Sequence, residues 1–139
     1  MSRDRMDTVL RVRRIAQQRA LAEVAATTQD LAVAEAAEQA AQDLLGSYVS
    51  RARSTGELGI ARAAGIALRH GVEVTSGERR GADARRSRAV GRWQEARTHE
   101  RAVERLVERR QRVAVLAAQA AEQARLDELA LLLRARGTA

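Results

Sequence analysis

The sequence predicts an all-α protein built as one long antiparallel two-helix coiled-coil hairpin, and three observations carry that expectation. The chain has no Pro and is rich in Ala, Glu, Leu and Arg, the composition of long helices and coiled coils. From Arg92 to Leu131 it has neither Gly nor Pro, and strong helix formers dominate. Within that stretch Ala96, Val103, Leu106, Val113, Ala117, Ala120, Ala124 and Leu131 recur at spacings of three, four or seven. Such a narrow stripe suits the seam of a coiled coil better than the broad face of a globular helix. His99, Arg110 and Asp127 fall on the same seam as polar interruptions. With so few large side chains, and with i,i+3 and i,i+4 charge pairs that nearly cancel, this helix needs a partner.

The first helix is expected over about residues 3–53. Met6, Leu10, Ala20, Leu21, Val24, Leu31, Ala34, Ala41, Leu45 and Tyr48 form its stripe, interrupted by Arg13, Gln17 and Glu38. A turn is placed at about 54–59, Ser-Thr-Gly-Glu-Leu-Gly, where two glycines disfavour helix and Ser54 with Glu57 has capping-box spacing. The second helix follows over about 60–136, giving a single hairpin for the whole chain, 1–139. Glycines at 65, 71, 77, 81 and 91 weaken its first part, so the run from Val72 to Gly77 reads as a second break or as an alternative hinge.

Charge favours the earlier turn. The formal net charge is +7, carried by Arg without Lys, and it is unevenly spread. Residues 20–50 are acidic and residues 79–112 strongly basic. A hairpin centred near residue 56 sets Glu23, Asp30, Glu35, Glu38 and Asp43 beside Arg79, Arg80, Arg85, Arg86 and Arg88. It also leaves Leu126, Leu129, Leu131, Leu132 and Leu133 on an overhang, an exposed apolar surface of the kind that binds partners. A later hinge would instead pack these leucines on Val9, Leu10, Val12 and Ile15.

Several function classes find no support. Without Cys there is no disulfide, thiolate metal site or thiol nucleophile. His70 with Glu73 and His99 with Glu95 have helical spacing but supply no third metal ligand, and His99 reads as lining the seam. No phosphate-binding glycine motif occurs, and paired carboxylates such as Glu100 and Glu104 lie on a helix face without a cleft. The reading is of a non-enzyme with no cofactor and no metal. No span is apolar enough for a bilayer, which gives a cytoplasmic expectation. The arginines of 79–112 open an alternative, a helical hairpin binding nucleic acid with strong salt dependence, although interleaved aromatics are absent. A generic coiled-coil adaptor is the third reading.

Two regions resemble the flagellar export protein FliJ family, the coiled-coil component of flagellar type III secretion. The first is Arg5 to Ala25, RMDTVLRVRRIAQQRALAEVA. The second comprises Trp93, ERAVERLVERR from Glu100 to Arg110 and ARLDELA from Ala124 to Ala130. The resemblance implies a stalk-like hairpin whose paired chain ends enter the pore of a hexameric flagellar export ATPase. Met6, Leu10, Arg11, Arg13 and Arg14 would lie on one entering helix, and Arg125, Leu126, Asp127, Leu129 and Arg134 on the other. It also implies contact with the export gate protein and substrate chaperones, no small-molecule substrate, and a cytoplasmic location peripheral to the inner-membrane export apparatus. Tyr48 and Leu68 are the candidates for the gate contact. Ile66 to Gly71, IALRHG, lacks the aromatic residues that the family shows on its mid-chain surface.

Overall fold

The computed structural model describes residues 3–55 and 58–138, with side chains described for 5–53 and 62–138. Two long helices pack against each other as a helical hairpin: α1, Arg3–Thr55, and α2, Leu58–Gly137. Of the expected turn, Gly56 and Glu57 lie outside the described residues, as do the side chains of the Ser54–Glu57 capping box. Helix continues through Thr55 and resumes at Leu58. Contacts divide the chain into two compact units, one of Arg14–Arg97 and one of Met1–Arg13 with Thr98–Ala139.

In the Arg14–Arg97 unit the half-buried residues of α1 include Gln17, Ala20, Val24, Thr27, Leu31, Ala34 and Glu38, which alternate spacings of three and four. That is the coiled-coil period. Those of α2 include Val72, Thr75, Arg79, Ala82, Arg86, Ala89 and Trp93, again in steps of three and four. The seam is thin because small residues occupy its centre. Ala82 and Ala89 are fully enclosed, at 2% and 0% exposure, and with no side chain beyond Cβ they let the two backbones approach closely.

Polar groups fix the pairing. Arg79 Nε meets Glu38 Oε2 at 2.7 Å, Arg86 Nε donates to Thr28 Oγ1 at 3.1 Å, and the Arg92 guanidinium holds the Glu23 carboxylate. As the α1 number rises the α2 number falls, so the helices run antiparallel. The midpoint of each pair lies between residues 57 and 59, close to the hinge that charge matching favoured.

The expected break at Val72–Gly77 does not occur: α2 runs through it. Val72 and Thr75 lie on the seam, and the Thr75 hydroxyl donates back to the carbonyls of Gly71 and Val72 at 3.0 and 3.1 Å. Packing against α1 therefore outweighs the glycine penalty of about 1 kcal/mol each. Trp93 takes a seam position, with the Arg97 guanidinium 5.3 Å from its ring centroid. Its buried Nε1 has no hydrogen-bond partner among the described residues.

In the other unit Met6 is buried, at 6% exposure, and Val9 and Leu10 are half-buried. On α2 the half-buried residues are Glu100, Val103, Glu104 and Val107. The expected seam of this stretch needs correction. Ala96 and Val103 lie on it, but Leu106 is 42% exposed and His99 faces solvent. The true line passes one residue later, through Glu100 and Val107. From Glu108 to Thr138 every residue is exposed, so Val113, Ala117, Ala120, Ala124 and Leu131 line no seam, and neither do Arg110 and Asp127. The helix ends with Arg134 and Arg136 in its last turn, where positive charge complements the dipole. The Thr138 amide and hydroxyl both donate to the Arg134 carbonyl, at 3.2 and 3.1 Å.

Candidate protein-interaction site

The segment 108–138 is helical, and every residue in it is exposed. Its composition makes that unusual. No charged residue occurs from Val113 to Ala121, a run of two and a half turns, so apolar surface there faces all directions around the axis. Further along, Leu131, Leu132 and Leu133 are consecutive, and consecutive residues point about 100° apart. They are 65%, 57% and 69% exposed. The leucines therefore do not pack on the first helix, and Val12 and Ile15 are themselves exposed. A helix that is apolar all round is normally a buried one.

The residues that the resemblance singled out are placed as follows. Arg125, Leu126, Asp127, Leu129 and Arg134 are all exposed on this segment, and Asp127 accepts a hydrogen bond of 3.0 Å from Gln123. In the same unit Arg11 and Arg13 are exposed and Leu10 is half-buried. Met6 is enclosed, at the floor of a shallow depression formed with Asp7, Val107, Arg110, Gln111 and Ala114. Arg14, in the other unit, is exposed and already engaged by a neighbouring group. Val115 and Leu116, exposed at 55% and 63%, belong to the same surface and were missed. The charge-free run around them was the available signal.

A second surface lies in the Arg14–Arg97 unit, where the end of α1 meets the start of α2. Leu45, Tyr48, Val49 and Ile66 form an apolar groove, and Arg53, Arg62 and Arg69 rim it. Tyr48 is half-buried, with its ring edge beside Gly65. A Cβ there would sit 3.6 Å from the Tyr48 ring. Leu68 is also half-buried, on the seam.

The arginines of 79–112 divide between roles. Arg79, Arg86 and Arg92 are committed to α1, and Arg112 lies 3.9 Å from Glu108 on an exposed face. Among the described residues no three His, Cys, Asp or Glu side chains converge as metal ligands. No described helix is long and apolar enough to cross a membrane.

In comparison with known proteins, the family model described as "Flagellar FliJ protein" matches residues 1–138. No curated protein and no solved structure matches.

Proposed function

The chain belongs to the flagellar FliJ protein family, a component of flagellar protein export, and on that premise we propose that it is the non-catalytic coiled-coil stalk of the export apparatus. In this reading the residues of the Met1–Arg13 and Thr98–Ala139 unit enter a hexameric export ATPase. Leu10, Arg11, Arg13 and Arg14 serve on α1, and Arg125, Leu126, Asp127, Leu129 and Arg134 on α2. Met6 belongs to the same set, with its side chain enclosed. The Tyr48 and Leu68 surface contacts the export gate protein, and the helical faces also receive substrate chaperones. The protein works at the cytoplasmic face of the inner membrane, peripheral to the apparatus.

The observation that supports this best is the exposed segment 108–138 with its charge-free run from Val113 to Ala121. A one-sided groove or a nucleic-acid duplex would leave most of that surface wet, whereas an encircling ring covers every face. Burial at about 25 cal/mol per Å² then stabilises the complex. The test is a pull-down of the cognate ATPase by the full chain and by a chain ending at Arg112. The shortened chain should keep the helicity of its remaining residues, because every described residue of the part removed is exposed, and should lose the ATPase. Equal binding by both would sink the ring reading.

A further inference from the structure

The groove between the end of α1 and the start of α2 carries a chemistry that the ring contact does not use. Its floor is apolar, with Ile66 61% exposed beside the half-buried Leu45, Tyr48 and Val49. Its rim is one-signed: Arg53, Arg62 and Arg69 line it, and no acidic residue does so among the described residues. Arg53, Arg62 and Arg69 are exposed. This contrasts with the middle of the same unit, where Arg79 and Arg92 each have an acid from α1. An isoleucine projecting beside a tyrosine, bordered by three guanidinium groups, is complementary to a surface of opposite charge with one or two apolar anchors.

We propose that this groove receives an acidic, apolar helical segment of a partner protein, its aliphatic side chains seated on Tyr48 and Ile66 and its carboxylates on Arg62 and Arg69. The inference deepens the proposed gate contact at Tyr48 by naming the chemistry of the segment received. It rests on that reading only for the identity of the partner. Two features set the mode of recognition. The groove is bordered by helices on both sides, so no free strand edge is available for strand addition, and a helix laid along it uses anchors at i, i+3 and i+4. Arginine forks bind carboxylates in pairs, which gives orientation as well as attraction. Gly65 lies against the Tyr48 ring, which an added Cβ would meet at 3.6 Å.

The test uses the full chain against an array of overlapping fifteen-residue peptides covering the export gate protein and the substrate chaperones. Peptides that bind should carry at least two acids and aliphatic residues at helical spacing. Replacing their Glu and Asp by Gln and Asn should weaken binding about tenfold. An R62E/R69E variant should lose the same peptides by a similar factor, and Ile66→Asp should lose them with helicity unchanged. An R80E/R88E variant, with equal charge reversal on exposed residues of α2 outside the groove, should change binding less than about twofold. The proposal is overturned by an array without hits, by hits indifferent to carboxylate replacement, or by equal losses in the two double variants. Binding of the intact cytoplasmic region of the gate protein separates the two readings. Gate binding that survives R62E/R69E while no peptide binds removes the groove and leaves the gate contact. Groove-dependent peptide binding without gate binding removes the gate contact and leaves the groove.

Discussion

The Arg14–Arg97 unit and the segment 108–138 are both alanine-rich helix, yet they place polarity in opposite ways. In the first, charged and hydroxyl groups sit on or beside the seam, and three pairs of them meet across it: Glu38 with Arg79, Thr28 with Arg86, Glu23 with Arg92. Its enclosed side chains are alanines. In the second, leucines and valines face solvent and no seam exists. Where large apolar residues lie thus says little about which part of this chain is paired. Register comes from the matched polar groups, and the exposed leucines and valines are concentrated where no polar pair crosses between the described residues.

The largest test of that contrast compares two alanines. Ala89→Asp forces a carboxylate into a fully enclosed position and should cost about 3 kcal/mol or more. Ala117→Asp changes the same residue type on the exposed segment and should cost only the difference in helix propensity, about 0.5 kcal/mol. Urea unfolding followed by helicity measures both. Equal losses would mean that residues 108–138 are packed after all.

Next in size is the Glu38–Arg79 pair. The Glu38 side chain is only 15% exposed, so Glu38→Ala leaves Arg79 partly buried and unmatched, at a cost of about 1–2 kcal/mol. Glu108→Ala removes a partner from the exposed 3.9 Å pair with Arg112 and should cost under about 0.5 kcal/mol. A double-mutant cycle with Arg79→Ala isolates the coupling. A coupling no larger than that of Glu108 with Arg112 would deny the seam pair its role in register.

These contrasts also explain which parts of the fold could be read in advance. The α1 stripe was legible because Leu31, Ala34, Ala41, Leu45 and Tyr48 recur at spacings of three, four and seven and mark a single phase; of the residues chosen only Leu21 faces solvent. The α2 seam beyond Trp93 was not. Around Val103 the sequence offers Leu106 and Val107 as adjacent apolar steps, and periodicity fits either phase. The structure takes the phase that puts Glu100 on the seam, against the apolar rule. Opposed charge in 20–50 and 79–112 pointed to the antiparallel pairing that is seen between Glu38 and Arg79 and between Glu23 and Arg92, since a pairing of many charges is less sensitive to any one residue. The arginine-rimmed groove was illegible because its parts come from both helices, and only the completed pairing brings Arg53 beside Arg62 and Arg69.

The smallest effect concerns Gly77, where sequence and structure disagree. Propensity reads Val72–Gly77 as a break, while α2 is continuous there, and Gly77 is exposed with open space around an added Cβ. If the helix is intact, Gly77→Ala meets no obstacle and restricts the unfolded chain. It should therefore stabilise by about 0.5–1 kcal/mol. If the chain instead turned at Gly77, alanine would be strained or indifferent, and the unfolding midpoint would fall or stay. Amide exchange supplies the complementary reading. A helix held across Val72 and Thr75 by α1, but lacking any contact at Gly77, should protect the seam amides more strongly than those around the glycine. The substitution should narrow that difference. A stabilising Gly77→Ala therefore assigns the continuity of α2 to packing that overrides local preference, whereas a destabilising one would return the hinge to the place where propensity alone puts it.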